Sequence, residues 1–170
     1  DSDALRAPGL VSLGDLLSRY PRQLEVQHMA VGQGHRSAVL HLLEDKSTLW
    51  PKAVGEQERA TSTLSVTVAP LDDLVTRPVD LIKIDVQGSE YDVLLGAERL
   101  LRECPMWILE VWPAGLAAAG HSVEELLVWL VEHDLTPHWA DMGFVTEGNL
   151  KPWLRRQPFQ GFVNWVCTRP

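Results

Sequence analysis

The sequence predicts an α/β protein, because strand-like and helix-like apolar segments alternate along its 170 residues. The clearest unit is an apolar strand over 80–86, a helix over 89–102 and a second apolar strand over 106–111. A helix of this length between two strands allows them to lie parallel in a right-handed βαβ unit. The length is typical of one domain, so we expect a single unit over 1–170.

Weaker signals precede this unit. Apolar residues at helical spacing predict the helices, and alternation of apolar and polar residues predicts the strands. In chain order, the predicted elements are a helix over 10–20, a strand over 24–31, a strand or short helix over 38–43, a loop over 46–60, a strand over 65–68 and a helical turn over 71–74.

Further signals follow the unit. Ser122 begins the sequence SVEE, a capping box in which serine and glutamate side chains satisfy free N–H groups at the start of a helix. This helix is expected to reach His133. The remaining predicted segments are a short strand over 137–140, an irregular excursion over 144–158 and a last strand over 161–168.

The charge of the chain narrows the class of partner. The formal net charge is −8, whereas nucleic-acid-binding proteins usually carry a basic stripe, because phosphate contacts supply much of their affinity. The same sign disfavours an anionic membrane surface, and no apolar run approaches the ~20 residues that span a bilayer. We therefore expect a small-molecule partner, no nucleic acid and no membrane.

The cysteines and histidines give no metal-binding pattern. Cys104 and Cys167 are far apart and form no CxxC, so a zinc site is not expected. His28, His35 and His41 are spaced by seven and six residues, which puts no two at i, i+4 on a helix. Two reduced, packed thiols are typical of a cytoplasmic protein, and we expect this location.

The stretch LIKIDVQGSE (81–90) has charges inside an apolar strand. Strands of a parallel sheet are covered on both faces, so we expect Lys83 and Asp85 to be buried, where an unpaired charge is unfavourable. Glu110 ends the next strand at the same rim, and Glu90 begins the helix between the two strands. Lys83 could simply pair with Glu110, and Glu90 could simply cap its helix. At Asp85, the strand-end position favours a ligand site.

A resemblance to a known family rests on these residues. VDLIKIDVQGSEYDVLLGAERLL (79–101), followed by MWILEVWP (106–113), resembles the FkbM family of S-adenosylmethionine-dependent methyltransferases. The family hallmark is K-x-D-x-x-G-x-E, then v-L-x-G-A, then a strand that ends in a glutamate. The matching residues are Lys83, Asp85, Gly88, Glu90, Leu94, Gly96, Ala97 and Glu110. The resemblance extends over residues 10–170, with further similar stretches at 26–42 and 66–75.

The resemblance implies a Rossmann-like class I methyltransferase fold that binds S-adenosylmethionine. It also implies methylation of a hydroxyl on a small molecule of the sugar or polyketide type. From their strand-end positions, Asp85 is the first candidate for proton acceptor or acceptor-orienting group and Glu110 is the second, and Glu90 is expected to order the turn. The implied cofactor contacts are Ala30, Val31, Asp85 and Val86.

The sequence departs from the family in its first half. Family members bind the cofactor through a glycine-rich loop after the first strand and an acid that ends the second, and this chain begins after both. We therefore expect a partial domain, truncated at the N-terminus, whose 80–86 strand has an open edge. Gly32-Gln33-Gly34 is a possible hidden cofactor loop, but a lone GxG is weak evidence and a turn between strands is favoured.

The open edge also suggests an alternative from another class. The chain could be a degenerate, non-catalytic module used for protein association. The same edge is the natural surface for a homo-oligomer, because unpaired strand edges are templates for pairing with another chain.

Overall fold

A computed structural model of the protein describes residues 13–42, 47–49, 62–139, 143–144, 146–156 and 161–169. The strands are β1 Ala30–Val31, β2 Arg36–Leu42, β3 Ser47–Thr48, β4 Ser62–Ala69, β5 Leu81–Ile84, β6 Met106–Val111, β7 Thr136–Trp139, β8 Gly143–Phe144 and β9 Val163–Thr168. The helices are α1 Leu13–Arg19, α2 Leu71–Leu74, α3 Glu90–Leu95, α4 Glu98–Glu103, α5 Pro113–Ala118, α6 Val123–Glu132 and α7 Glu147–Arg156. The predicted α/β class is confirmed.

The larger sheet has the strand order β5-β6-β9-β7-β8. β5 and β6 are parallel, with Leu81 opposite Met106, and the helices α3 and α4 connect them. The predicted βαβ unit is therefore confirmed. β9 runs antiparallel to both of its neighbours, β6 and β7. Within the described ranges β5 pairs with β6 alone, so it forms an edge of this sheet.

The core lies between the larger sheet and the helices that pack on it. Trp107 on β6 and Trp165 on β9 are fully buried, and the leucines of α4 and α6 close around them. Burial of one large apolar side chain contributes roughly 1.5–3 kcal/mol, so this cluster dominates the stability of the domain. Cys104 and Cys167 are free thiols inside the same cluster, as the sequence predicts.

The smaller sheet has the strand order β1-β4-β2-β3. Its main part is the antiparallel pair β2 and β4, and β1 lies parallel to the end of β4. This sheet contacts α3 and the residue that follows it, Gly96. The Arg36 guanidinium donates to the Asp92 carboxylate, and a Cβ on Gly96 would lie 2.4 Å from the carbonyl oxygen of Gly32. The sheet is therefore held firmly beside the βαβ unit.

The predicted helix over 89–102 is interrupted. It ends as α3 at Leu95 and restarts as α4 at Glu98, because Asp72 competes for the backbone at the junction. The Asp72 carboxylate accepts the N–H groups of Arg99 at 2.7 Å and Leu100 at 3.0 Å, and so caps α4. Sequence periodicity does not reveal such a cap, since Asp72 is far away along the chain.

Other predictions fall short or are wrong. The predicted strand over 24–31 forms only at β1, since β4 pairs with Ala30 and Val31 alone, and residues 27–29 line a cavity. The excursion over 144–158 contains the helix α7, and α5 was not predicted. The strand alternative over 38–43 is confirmed by β2. Parts of the predictions over 10–20, 38–43, 46–60, 137–140 and 144–158 lie outside the described residues.

No helix within the described ranges is long and apolar enough to cross a membrane.

Candidate functional site

The turn after β5 has an unusual backbone. Gln87 has a φ of 53° and Gly88 a φ of 105°, both in the left-handed region. Gly88 also approaches α5 closely, since a Cβ there would lie 2.8 Å from the Cα of Gly115. Only glycine adopts this conformation without strain and also fits this contact. The chain therefore reverses tightly at the carboxyl end of β5.

Three polar side chains meet at this end of the sheet. The Gln87 Nε2 donates to Asp85 Oδ1 at 3.0 Å and to Glu110 Oε1 at 3.2 Å. The sequence predicted that Asp85 and Glu110 share a rim, and the structure brings them together. Gln87 is the residue that links them, and we call Asp85, Gln87 and Glu110 the rim cluster.

Lys83 lies beside the rim cluster and pairs with Asp85. Its Nζ is 2.8 Å from Asp85 Oδ2, so the predicted simple pairing of Lys83 with Glu110 is replaced by a pair with Asp85. The predicted burial of these charges is wrong, because the side chains of Lys83 and Asp85 are 51% and 36% exposed. The reason is that β5 is an edge strand, and only the side bearing Ile84 packs on the core.

The electrostatics keep Asp85 ionised. Partial desolvation raises the pKa of Asp85, but hydrogen bonds from Lys83 and Gln87 and the Lys83 charge outweigh it, so the pKa lies below its usual value. The hydrogen bond to Asp85 is likewise the main reason that the pKa of Lys83 is raised. The two charges therefore stabilise each other at neutral pH.

Glu90 lies inside the protein, not at the rim. It is fully buried, and its Oε1 accepts the backbone N–H of Gly88 at 2.9 Å. Its Oε2 is buried without a hydrogen-bond partner among the described residues. Desolvation raises the pKa of Glu90 to about 7, although the Gly88 N–H opposes this shift. The side chain thus holds the turn from its buried side.

A cavity of about 590 Å³ lies between the smaller sheet and the same turn. Its described lining is largely apolar and comes from the segment before β1, from β1, β2 and β4, and from the turn after β5. The lining residues are Gln27, His28, Met29, Ala30, Val31, Leu40, Leu49, Leu64, Ser65, Val66, Val86 and Ser89.

The cavity brings together three of the four predicted cofactor contacts. Ala30, Val31 and Val86 line it, whereas Asp85 is not among its described lining residues and lies in the rim cluster. Two successive residues of the turn therefore belong to different sites, since Val86 lines the cavity and Asp85 belongs to the rim cluster. The Gly32-Gln33-Gly34 segment is not part of the described lining, and it forms the turn between β1 and β2.

Within the described ranges, no group of three or more His, Cys, Asp and Glu side chains is placed to hold a metal ion.

Gln87 is the member of the site that sequence reasoning missed. The hallmark K-x-D-x-x-G-x-E leaves its position open, and a neutral amide gives no charge signal. The one available clue is its place two residues after Asp85, next to a glycine. Its link to Glu110 depends on the pairing of β5 with β6, which local sequence does not specify.

Carboxylates at the ends of parallel strands, beside a cavity of ligand size, are typical of α/β enzymes that act on small molecules. The chain matches the methyltransferase FkbM domain over residues 13–145, well over half of its length. The protein therefore belongs to the FkbM methyltransferase family, as the sequence motifs predicted. No curated protein matches it.

A solved structure supports the same fold. The methyltransferase FkbM from Methylobacillus flagellatus KT aligns with a TM-score of 0.53 and 15% identity, over 92% of this chain. The alignment covers 32% of that protein, so the present chain spans about a third of its length. At 15% identity, this similarity shows a shared fold and nothing more.

Proposed function

We propose that this chain forms part of an S-adenosylmethionine-dependent methyltransferase that methylates a hydroxyl group of a small molecule, of the sugar or polyketide type. The observation that carries the proposal is the cavity lined by Ala30, Val31 and Val86, next to the turn that bears the rim cluster. The parallel β5–β6 pair, with polar groups at its carboxyl ends, supports the Rossmann-like arrangement expected of this family.

The cavity fits part of the expected cofactor. Its volume of about 590 Å³ is within the range of ~300–1,000 Å³ found for small-molecule sites. The apolar surface around Met29, Val31 and Val86 suits a flat adenine ring. The described lining contains no carboxylate, so these residues fit the base but leave the ribose hydroxyls and the amino-acid end without a charged partner.

The rim cluster is assigned to the methyl acceptor. When bound, the cofactor supplies an electrophilic methyl group on a sulfonium, and the protein then needs to hold the acceptor hydroxyl in line with it. An ionised Asp85 can accept the hydrogen bond of that hydroxyl. Its lowered pKa favours orientation over full proton removal, because an efficient general base has a pKa near the working pH. Glu110 is the second candidate, and Glu90 supports the turn.

Calorimetric titration with S-adenosylhomocysteine tests the cavity assignment. Val86→Trp fills the cavity and is expected to weaken binding by at least about tenfold, or ~1.4 kcal/mol. Val128→Trp makes the same change on the exposed side of α6 and should leave binding unchanged. Equal affinity of Val86→Trp and the wild type would show that the cofactor does not enter this cavity.

Other expectations stay as proposals. We treat the chain as one partial methyltransferase-like domain that works in the cytoplasm, and the two free, buried cysteines are consistent with a reducing compartment. The comparisons do not favour the alternative of a non-catalytic association module.

Pairing of two copies through β5 remains a prediction. Light scattering should then give twice the 19.0 kDa chain mass, and a monomer at high concentration would exclude it.

A further inference from the structure

One amide group contacts both carboxylates of the rim cluster. The NH₂ group of Gln87 has two hydrogens, and its nitrogen lies within hydrogen-bond distance of Asp85 Oδ1 and Glu110 Oε1. Two carboxylates at close range repel each other, and a donor placed between them offsets that repulsion. The position of Gln87 is therefore well suited to keep the two acids side by side.

The backbone at Gln87 is strained. A φ of 53° is uncommon for a residue other than glycine, asparagine or aspartate. The next residue, Gly88, is fixed by its contact with Gly115 and by the Glu90 carboxylate, which accepts its N–H. A glycine at position 87 would remove the strain but would also remove the amide. Gln87 thus adopts a backbone conformation that favours glycine, and it supplies an amide donor that glycine lacks.

We propose that Gln87 is a positioning residue, whose side-chain amide clamps Asp85 and Glu110 into one acceptor-binding pair. The clamp acts from the exposed side of the turn, while Glu90 holds the same turn from the buried side. The proposal rests on the proposed function in one respect, because Asp85 and Glu110 are the groups assigned to the acceptor. Gln87 itself need not touch the acceptor.

The charged groups around Asp85 define what loss of the amide would do. Lys83 donates to it, Glu110 shares the Gln87 amide with it, and the carboxyl of Glu90 is inside the turn. The hydrogen bond from Gln87 is one of the interactions that lower the pKa of Asp85. Without it, one of the interactions that oppose the desolvation of Asp85 is lost, while the hydrogen bond and charge of Lys83 remain. The pKa of Asp85 should therefore rise.

The test is an NMR titration of the side-chain carboxyl carbons of Asp85 and Glu110. Gln87→Met keeps the approximate size of the side chain and removes the donors, and Gln87→Gly removes both the donors and the backbone strain. Both variants should titrate Asp85 at a higher pH than the wild type. Gln27→Gly is the matched control, since the exposed amide of Gln27 donates to Glu25, also two residues earlier, at 3.0 Å. It should leave the titration of Asp85 unchanged.

Two results would overturn the clamp: an unchanged Asp85 titration in both Gln87 variants, or an equal shift in Gln27→Gly. Thermal melting tests whether a titration shift comes from general unfolding. Gln87→Gly relieves the backbone strain, so it should melt at or above the wild-type temperature.

A turnover assay separates the clamp from the proposed function. The clamp predicts a lower kcat in Gln87→Met, an acidic limb of the pH profile moved toward higher pH, and an unchanged KM for the cofactor. A titration shift without any methyl transfer by the wild type would refute the proposed function and leave the clamp intact. Methyl transfer by the wild type, together with an unchanged Asp85 titration in both Gln87 variants, would refute the clamp and leave the proposed function intact.

Discussion

Glu90 gives a prediction that can be worked out from its surroundings. Its carboxyl is fully buried, and desolvation raises its pKa from 4.5 to about 7. The change Glu90→Gln keeps an oxygen that can accept the Gly88 N–H but removes the titrating group. Burial of the new amide nitrogen lowers the stability of the variant by the same amount at every pH, because an amide does not titrate.

The sign and size of the pH effect follow from linkage. Below pH 4.5 the carboxyl is protonated in the folded and the unfolded chain. Between 4.5 and about 7 the unfolded chain is ionised while the folded protein keeps its proton, so the free energy of unfolding falls as pH rises. Each unit of pKa difference corresponds to about 1.4 kcal/mol, so the total loss through this window is about 3 kcal/mol.

Urea unfolding at pH 5 and pH 8 measures this loss. We expect the wild type to lose about 2–3 kcal/mol more than Glu90→Gln between these two values, because other titrating groups are common to both proteins. Glu98→Gln makes the same chemical change at an exposed glutamate that begins α4 and should keep the wild-type dependence. Parallel losses in the wild type and Glu90→Gln, within ~0.5 kcal/mol, would refute the reasoning.

Two further predictions concern the rim and its turn. Asp85→Asn should lower kcat about 100-fold with unchanged binding of S-adenosylhomocysteine, because the charge that we propose orients the acceptor is lost; a loss of only a few-fold would remove Asp85 from the proposed mechanism. Gly88→Ala should destabilise the protein by about 1–3 kcal/mol or more in urea unfolding, since a Cβ there meets Gly115 in a left-handed backbone. Gly120→Ala has a similar φ of 92° with no described atom within 4 Å, and it should be affected less. An equal effect at both glycines would mean that the close contact is unimportant.

The part of the fold that could be predicted is the part with local signals. The capping box at Ser122 is formed as expected, with Glu125 N–H donating to Ser122 Oγ at 3.1 Å. The βαβ unit follows from two apolar strands on either side of a helical pattern. These elements are specified by residues within a few positions of one another, so sequence reading was sufficient.

The part that could not be predicted depends on contacts between distant residues. The break between α3 and α4 is caused by Asp72, which lies more than twenty residues earlier and caps α4. Lys83 and Asp85 are exposed because β5 is an edge strand in the described sheet, whereas their apolar neighbours indicated burial. Glu90, which looked like a simple cap, is the buried acid. The sequence thus predicted burial for Lys83 and Asp85, which are exposed, and did not indicate that Glu90 is the buried one.

The turn after β5 explains how one short segment can serve two sites. Val86 and Ser89 line the cavity, whereas Asp85 and Gln87 belong to the rim cluster. The same backbone therefore closes the cavity and sets the position of the acids. Since Gly88 is fixed against α5 and is bound by Glu90, a shift of the turn would disturb both sites together. The tight, well-supported turn therefore couples the cavity that we propose for the cofactor to the acids that we propose for the acceptor.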